Sequence, residues 1–393
     1  MLVMNKVKLK NICIEVGKYG IPATAVDFDE NLYRYLRITD ISDYGYLLEN
    51  DKKSLNEKDA EKYLLSKNDI VFARTGASTG RSFFYEEKFG KLVYAGFLIK
   101  FKLDEKLVNP KFIKYYTISQ KYKKWIEYFQ DGSTRGNMNA NTFANMDIEL
   151  PNRKQQDLAV SILSSLEDNI ELNNKINKEL ENLARTIYEY WFVQNAEESW
   201  ERKKIGEIGE FKNGANYEKA NTIGENVKII NVRDISSSSI FIDIENLDEI
   251  ILQKKDIDKY LLNENDIIFA RSGIPGAIRL VEKTEENVIF CGFAIRFRLN
   301  DKNLKEYAFF SLKQNEEFAK NKSGGSIMPN ISQDSLKDTT ISFPPIKLLG
   351  KFNKIVSPFF EQIIKNRQES TNLAQLRDFL LPLLMNGQVT VNF

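Results

Sequence analysis

Apolar positions along this chain follow two periods, and each change of period occurs twice. Between Asp69 and Arg74 stand Ile70, Val71 and Phe72; between Asp266 and Arg271 stand Ile267, Ile268 and Phe269. Each unbroken run, bounded by polar residues, reads as a buried strand. Further on, GFLIKFKL and GFAIRFRL alternate apolar and basic residues. Period two places Phe97, Ile99, Phe101 and Leu103 toward a core and Lys100 and Lys102 outside. A helical stretch then carries Tyr115, Tyr116, Tyr122, Trp125 and Tyr128 among lysines.

After Pro151 and Pro344 the period lengthens. Ile162, Leu166, Asn169, Asn173, Ile176, Leu180, Leu183, Ile187 and Tyr190 fall at alternating spacings of four and three, a heptad seam with polar interruptions. Lys154 to Val193 contains no Pro or Gly, enough for a helix of about 60 Å. A second seam runs through Val356, Phe359, Ile363, Asn366, Ser370, Leu373, Leu380 and Leu384 and stops at Gly387. Two readings are open: an antiparallel pair, with the asparagines fixing register at some cost in stability, or two amphipathic helices each packed on its own domain.

These parts recur in one order. YLLSKNDIVFARTG from Tyr63 and YLLNENDIIFARSG from Tyr260 share ten of fourteen positions, and the apolar segments before them end in Asp-Ile-Ser at Asp40 and Asp234. A repeat this long is a duplicated domain, not a solenoid. The expected fold class is α+β: two tandem α/β domains of common origin, 1–151 and 196–344, separated by a long helix at 152–195 and followed by another at 345–393. Paired antiparallel, the helices would hold equivalent domains about a pseudo-two-fold axis.

Composition removes several functions. With no histidine and two cysteines, Cys13 and Cys291, at unrelated places in the repeat, His-based triads, HExxH zinc sites and closed zinc sites are out. A structural disulfide is not expected, and a reducing cytoplasm fits. No apolar stretch is long enough to span a bilayer, and the first residues have no signal-peptide layout. A net charge of +1 is no bulk polyanion magnet, so any nucleic-acid binding must be local. GASTGRS (76–82) is a defective P-loop, one residue short, with Arg for Lys. An acid pattern of Asp69, Glu86 and Lys88 has no counterpart in order after Asp266. The chain does not read as an enzyme.

The two copies share strands and differ in loops: 18–31 against 213–226, 77–91 against 274–287, and 133–139 against 326–332. One frame with different loops suits a reader of two different sequences. The residue types that suit base edges and phosphates are Lys18, Tyr19, Arg74, Thr75, Arg81, Ser133, Thr134, Arg135, Asn137 and Asn139 in the first copy. In the second they are Asn213, Tyr217, Arg271, Ser272, Ser326 and Asn330. Arg74 and Arg271 follow buried strands, where a DNA contact or a salt bridge to Asp69 or Asp266 would serve equally. Lys111, Lys114, Lys121, Lys123 and Lys124 form a basic run that could attract phosphates or simply be a solvated helix face.

The paired NDI(V/I)FAR(T/S)G blocks, the paired GF-x-I-(K/R)-F strands, the strand-ending prolines, the two heptad helices and the terminal LLPLLMNGQV resemble the specificity (S) subunit of type I restriction-modification systems, over nearly the whole chain. The resemblance implies two target recognition domains, each reading half of a split double-stranded DNA sequence. It implies long helices that act as a ruler and dock two methyltransferase (modification) subunits, with restriction/translocase subunits as further partners. S-adenosylmethionine, ATP and Mg would be bound by those partners and no cofactor by this chain. A type II methyltransferase-nuclease system and a coiled-coil scaffold with no DNA role are the alternatives. Only residues 388–393 follow Gly387, so no additional terminal helix is expected.

Overall fold

Ile70, Val71 and Phe72 are fully buried because their strand lies at the centre of a sheet covered on both faces. The computed structural model describes residues 4–131, 138–217, 224–236, 240–264, 266–273, 276–322 and 331–388. These fall into two compact units: Met1–Glu171 with Ser370–Phe393, and Leu172–Glu369.

The first unit runs β1 (Asn5–Lys8), β2 (Cys13–Tyr19), β3 (Val26–Asp27), β4 (Tyr33–Leu36), β5 (Lys53–Leu55), β6 (Asp69–Ala73), β7 (Ser82–Phe84), β8 (Leu92–Tyr94) and β9 (Leu98–Leu103). Helices α1 (Pro110–Tyr116), α2 (Gln120–Asp131) and α3 (Ala140–Ala144), strand β10 (Asp147–Leu150) and the start of α4 (Arg153–Glu189) complete it. An antiparallel sheet has the order β2-β9-β6-β7, and a mixed sheet the order β3-β5-β4-β8, with β4 and β8 parallel. Strand β1 pairs with β10. Local chemistry sets the starts: Asn109 accepts from Lys111 N at 3.0 Å and Pro110 opens α1.

The second unit repeats this plan with β11 (Glu201–Lys204), β12 (Gly209–Asn213), β13 (Glu225–Ile230), α5 (Val232–Ile235), β14 (Asp248–Leu252), α6 (Lys254–Tyr260), β15 (Ile267–Ala270), β16 (Ile278–Leu280), β17 (Val288–Phe290) and β18 (Ala294–Leu299). After these come α7 (Lys305–Lys322), α8 (Gln333–Lys337), β19 (Thr340–Phe343) and α9 (Ile346–Met385). Its sheets are β12-β18-β15-β16 and β14-β13-β17, with β11 on β19. The duplication read from sequence is thus a duplication of topology.

The shared aspartates hold turns. Asp69 Oδ2 accepts from Ser66 N and Asp266 Oδ2 from Asn263 N, both at 2.8 Å. Asp40 and Asp234 do the same for Arg37 N and Asn231 N at 2.7 and 2.8 Å. An ionised carboxylate on a backbone N–H is a strong local tie, which accounts for these four positions as frame.

The long helices form, with one correction. In the second unit α4 and α9 run antiparallel: Asn173 Nδ2 donates to Asn366 O and Glu369 Oε2 at 3.4 and 3.1 Å, Asn366 Nδ2 donates to Asn177 Oδ1 at 2.8 Å, and Tyr188 packs beside Phe352. The buried stripe there is Asn173, Asn177, Ala184 and Tyr188 of α4 with Phe192 in the π-helical turn that follows, whereas Leu183 and Tyr190 are about half exposed; Asn169, in the first unit, lies in solvent. The domain core draws in Tyr188 and Phe192, rotating the helix off the seam that the heptad count selects. In the first unit Leu163 of α4 and Leu381, Leu384 and Met385 of α9 all enter one core. No described helix is long and apolar enough to cross a membrane.

Candidate functional site

Three strands of the first unit end together. Tyr19 of β2 sits opposite Ile99, and Ala73 of β6 opposite Leu98. The chain leaves β6 at Arg74, whose N–H donates to Phe97 O at 3.1 Å and whose carbonyl accepts from Met138 N at 2.9 Å. The Arg74 guanidinium lies over the Tyr19 ring, 5.1 Å from its centroid, and Tyr19 Oη accepts from Ala140 N at 3.2 Å. Arg74 Nε is buried without a hydrogen-bond partner among the described residues. Asn139 caps α3 by accepting from Thr142 N at 2.9 Å and stays exposed. Lys18 pairs with Glu15 at 3.2 Å, and Thr75 begins the tight turn at Gly76–Ser78. Gly20 makes the close approach possible: a Cβ there would meet Tyr94 O at 2.2 Å. Lys18, Tyr19, Arg74, Thr75 and Asn139 therefore gather at one sheet end.

The second unit builds the same place with different chemistry. Arg271 N donates to Phe293 O at 2.9 Å and Ile331 N to Arg271 O at 3.3 Å. Its guanidinium turns onto backbone carbonyls, Nε to Ile331 O and Nη1 to Gly292 O, each at 3.3 Å. Asn213 takes the place of Tyr19, opposite Ile295. Gly214 repeats Gly20, a Cβ there meeting Cys291 O at 2.1 Å. Ser332 caps α8 where Asn139 caps α3. Ser272 follows Arg271, half-buried. Tyr217 instead donates to Asn231 Oδ1 at 3.2 Å.

Both aspartates have other partners, so the salt-bridge reading of Arg74 and Arg271 is excluded. Asp69 faces Lys100 and Lys102 at 3.6 and 3.8 Å, and Asp266 holds Arg298 through Nε and Nη2 at 2.7 Å each. Arg81 is also engaged: Nε donates to Asp43 Oδ1 at 2.7 Å and Nη1 to Ile41 O at 3.0 Å. It lines a cavity of about 440 Å³ with Tyr44, Tyr122 and Lys123. The basic run is largely partnered: Lys111 and Lys114 with Glu86 at 3.1 and 3.3 Å, Lys114 with Glu167 at 2.8 Å, Lys121 with Glu149 at 2.5 Å, and Lys123 over Tyr44. Burial pushes Glu86 up, but Lys114 and Lys111 overcome it and hold its carboxyl below the usual range. The segment 76–82 runs into strand β7, not into the helix that a phosphate loop requires. Ser133, Thr134, Arg135, Asn137, Ser326 and Asn330 lie outside the described residues.

The alternation reading of GFLIKFKL needs correcting at two positions. Phe97 is 57% exposed and its counterpart Phe293 65%, whereas Lys100 and Arg296 are buried. Phe97 precedes β9 in a turn closed by Leu98 N to Ala95 O at 2.8 Å, so strand alternation does not reach it. Lys100 points into the second covered face of the sheet, toward Glu15 at 3.2 Å and Asp69. The signal for the exposed rings was the glycine immediately before each.

Residues 3–182 and 197–374 each match the family model described as type I restriction modification DNA specificity domain. The chain is 28% identical over 303 residues to the type I restriction enzyme MjaIX specificity subunit of Methanocaldococcus jannaschii, covering 69% of this chain and 68% of that one. It is 20% identical over 408 residues to the type I restriction enzyme HindI specificity subunit of Haemophilus influenzae, covering 84% and 88%. Among solved structures it is similar to the S subunit of a type-I restriction-modification system from M. genitalium, with a TM-score of 0.54, 16% identity and coverage of 98% and 96%.

Proposed function

The chain belongs to the type I restriction modification DNA specificity family, and from that premise we propose how it divides its work. It is a specificity subunit with two tandem recognition domains. Residues 1–151 and 196–344 each read one half of an interrupted, asymmetric DNA target. The long helices α4 and α9 set the gap and dock two methyltransferase subunits, to which restriction/translocase subunits add. Half-sites about one helical turn apart would present equivalent grooves to equivalent sheet ends. The chain itself transfers no methyl group and cuts no strand, and works in the cytoplasm. S-adenosylmethionine, ATP and Mg belong to the partners, which take the target adenine out of the stack to modify it.

The observation that carries this reading is one frame built twice with unlike neighbours. Arg74 and Arg271 leave equivalent strands, yet Tyr19 faces one and Asn213 stands in the corresponding place beside the other. Of the residues proposed to touch DNA, Lys18, Tyr19, Arg74, Thr75 and Asn139 share the first sheet end, and Asn213, Arg271 and Ser272 the second. Arg81 and Tyr217 are hydrogen-bonded within the fold. The test is to exchange residues 1–151 for the first domain of another family member and sequence methylated adenines in DNA from the host. One half-site changes if the reading holds; a change in both, or in neither, overturns it.

A further inference from the structure

Neither packing nor base reading explains why the two phenylalanines at these sheet ends are so exposed. Phe97 and Phe293 are 57% and 65% exposed, while the next residues, Leu98 and Ala294, are fully buried. Each ring is presented on a backbone tied at three points. In the first unit Gly96 N donates to Ile21 O at 2.8 Å, Arg74 N to Phe97 O at 3.1 Å, and Leu98 N to Ala95 O at 2.8 Å. In the second, Gly292 N donates to Ala215 O at 2.7 Å, Arg271 N to Phe293 O at 2.9 Å, and Ala294 N to Cys291 O at 2.9 Å. In the second unit a Cβ on the preceding glycine would meet Asn216 Oδ1 at 2.1 Å, so that side chain would have to turn aside. A mobile loop tip that happened to expose a ring would not be held this way twice.

The rim decides what covers the rings. Each stands directly beside an arginine, Arg74 or Arg271, with Tyr19, Thr75 and Asn139, or Asn213 and Ser272, on the same sheet end. One phenylalanine beside an arginine, with the Tyr19 ring near it in the first unit and Asn213 in the second, is a poor core for a protein interface, which wants a contiguous apolar patch. It is a good fit to stacked bases flanked by phosphates, where apolar side chains press into base steps and partly unstack them. A ring has no donor or acceptor with which to distinguish bases. Both copies keep it while the neighbouring position changes from Tyr19 to Asn213.

We propose that Phe97 and Phe293 are paired, sequence-independent wedges, each entering a base step of duplex DNA at its own half-site. This rests on the DNA-reading function above and adds to it a shared deformation of both half-sites. Leaving water for a base step accounts for the rings' exposure in the free chain.

The test uses the full chain assembled with its methyltransferase subunits, a labelled mixed-sequence duplex for affinity, and 2-aminopurine scanned through the target for unstacking. Because both rings are exposed, F97A and F293A leave the fold intact, which thermal unfolding verifies. Each variant is expected to weaken mixed-sequence binding about 5- to 100-fold. F97A abolishes the 2-aminopurine signal in the first half-site only, and F293A in the second only; F97W restores both affinity and signal. Unchanged affinity and signal in both alanine variants overturn the wedge while leaving the reading function standing. Loss of methyltransferase assembly with DNA affinity unchanged also overturns it, in favour of protein docking. A wild-type complex that binds no DNA overturns the reading function itself, and the wedge with it.

Discussion

Arg298→Met takes from a buried carboxylate the cation hydrogen-bonded to it, leaving only the Coulombic attraction of Arg296, and the geometry sets how much that costs. Asp266 is 1% exposed, and Arg298 meets it through Nε and Nη2, both at 2.7 Å. Such bidentate, charge-assisted pairs are among the strong polar contacts, and removing one partner of a buried pair costs about 3–5 kcal/mol. Asp266 keeps the Asn263 N–H at 2.8 Å, and the Arg298 side chain is 34% exposed, so water reaches the vacated place. The expected loss is therefore about 2–3 kcal/mol, below the fully buried range. For a unit spanning Leu172–Glu369, that lowers Tm by about 4–12 °C. Circular dichroism gives the midpoint, and hydrogen exchange in β15 and β18 assigns it to the second unit. Adding Asp266→Asn removes the stranded charge while keeping an acceptor for Asn263, and should recover more than half of the loss. The first unit is the internal control. Asp69 faces Lys102 at 3.8 Å and already carries an oxygen without a hydrogen bond, so Lys102→Met should cost less than about 1 kcal/mol. A shift under about 2 °C for Arg298→Met, or a double variant no better than the single, refutes the reasoning.

Asn366→Leu strands Asn177 Oδ1, which accepts from Asn366 Nδ2 at 2.8 Å in a buried layer. Chemical unfolding should show a loss of about 1–3 kcal/mol, recovered when Asn173 and Asn177 are also made leucine. Glu86 gives a pH signature: its carboxyl lies below its ordinary value of 4.5, so its stabilisation is complete above that pH and is lost as pH falls through the lower folded value. Urea unfolding over a pH series should give a shallower acid limb for Glu86→Gln, with about 1–2 kcal/mol less stability at neutral pH; coincident limbs would contradict this.

The sequence carried the plan of the fold because duplication makes pattern redundant. Two runs ending in Asp-Ile-Ser and two NDI blocks could not both be accidents, and each proved to be a carboxylate holding a turn. What it did not carry was which face a position serves once neighbours compete. Lys100 alternates like a surface residue, yet the sheet has cores on both sides, and Glu15 with Asp69 makes burial tolerable. Leu183 and Tyr190 sit in a sound heptad, but Tyr188 and Phe192 win the core. At the candidate site, Tyr19, Arg74 and Asn139 were found by residue type. That they meet depends on register between β2, β6 and β9, which no local pattern records.

The first unit is discontinuous: its core holds Leu9 and Phe72 together with Leu381, Leu384 and Met385, while the second unit is one unbroken stretch. On a ribosome this inverts the usual order. The first 171 residues emerge early, with the places of Leu381, Leu384 and Met385 in their core unfilled until the last helix has been made. The second unit, though synthesised later, contains everything it needs and can close first. A chain cut short before Leu381 would spare the later-made unit and expose the apolar surface of the earlier one.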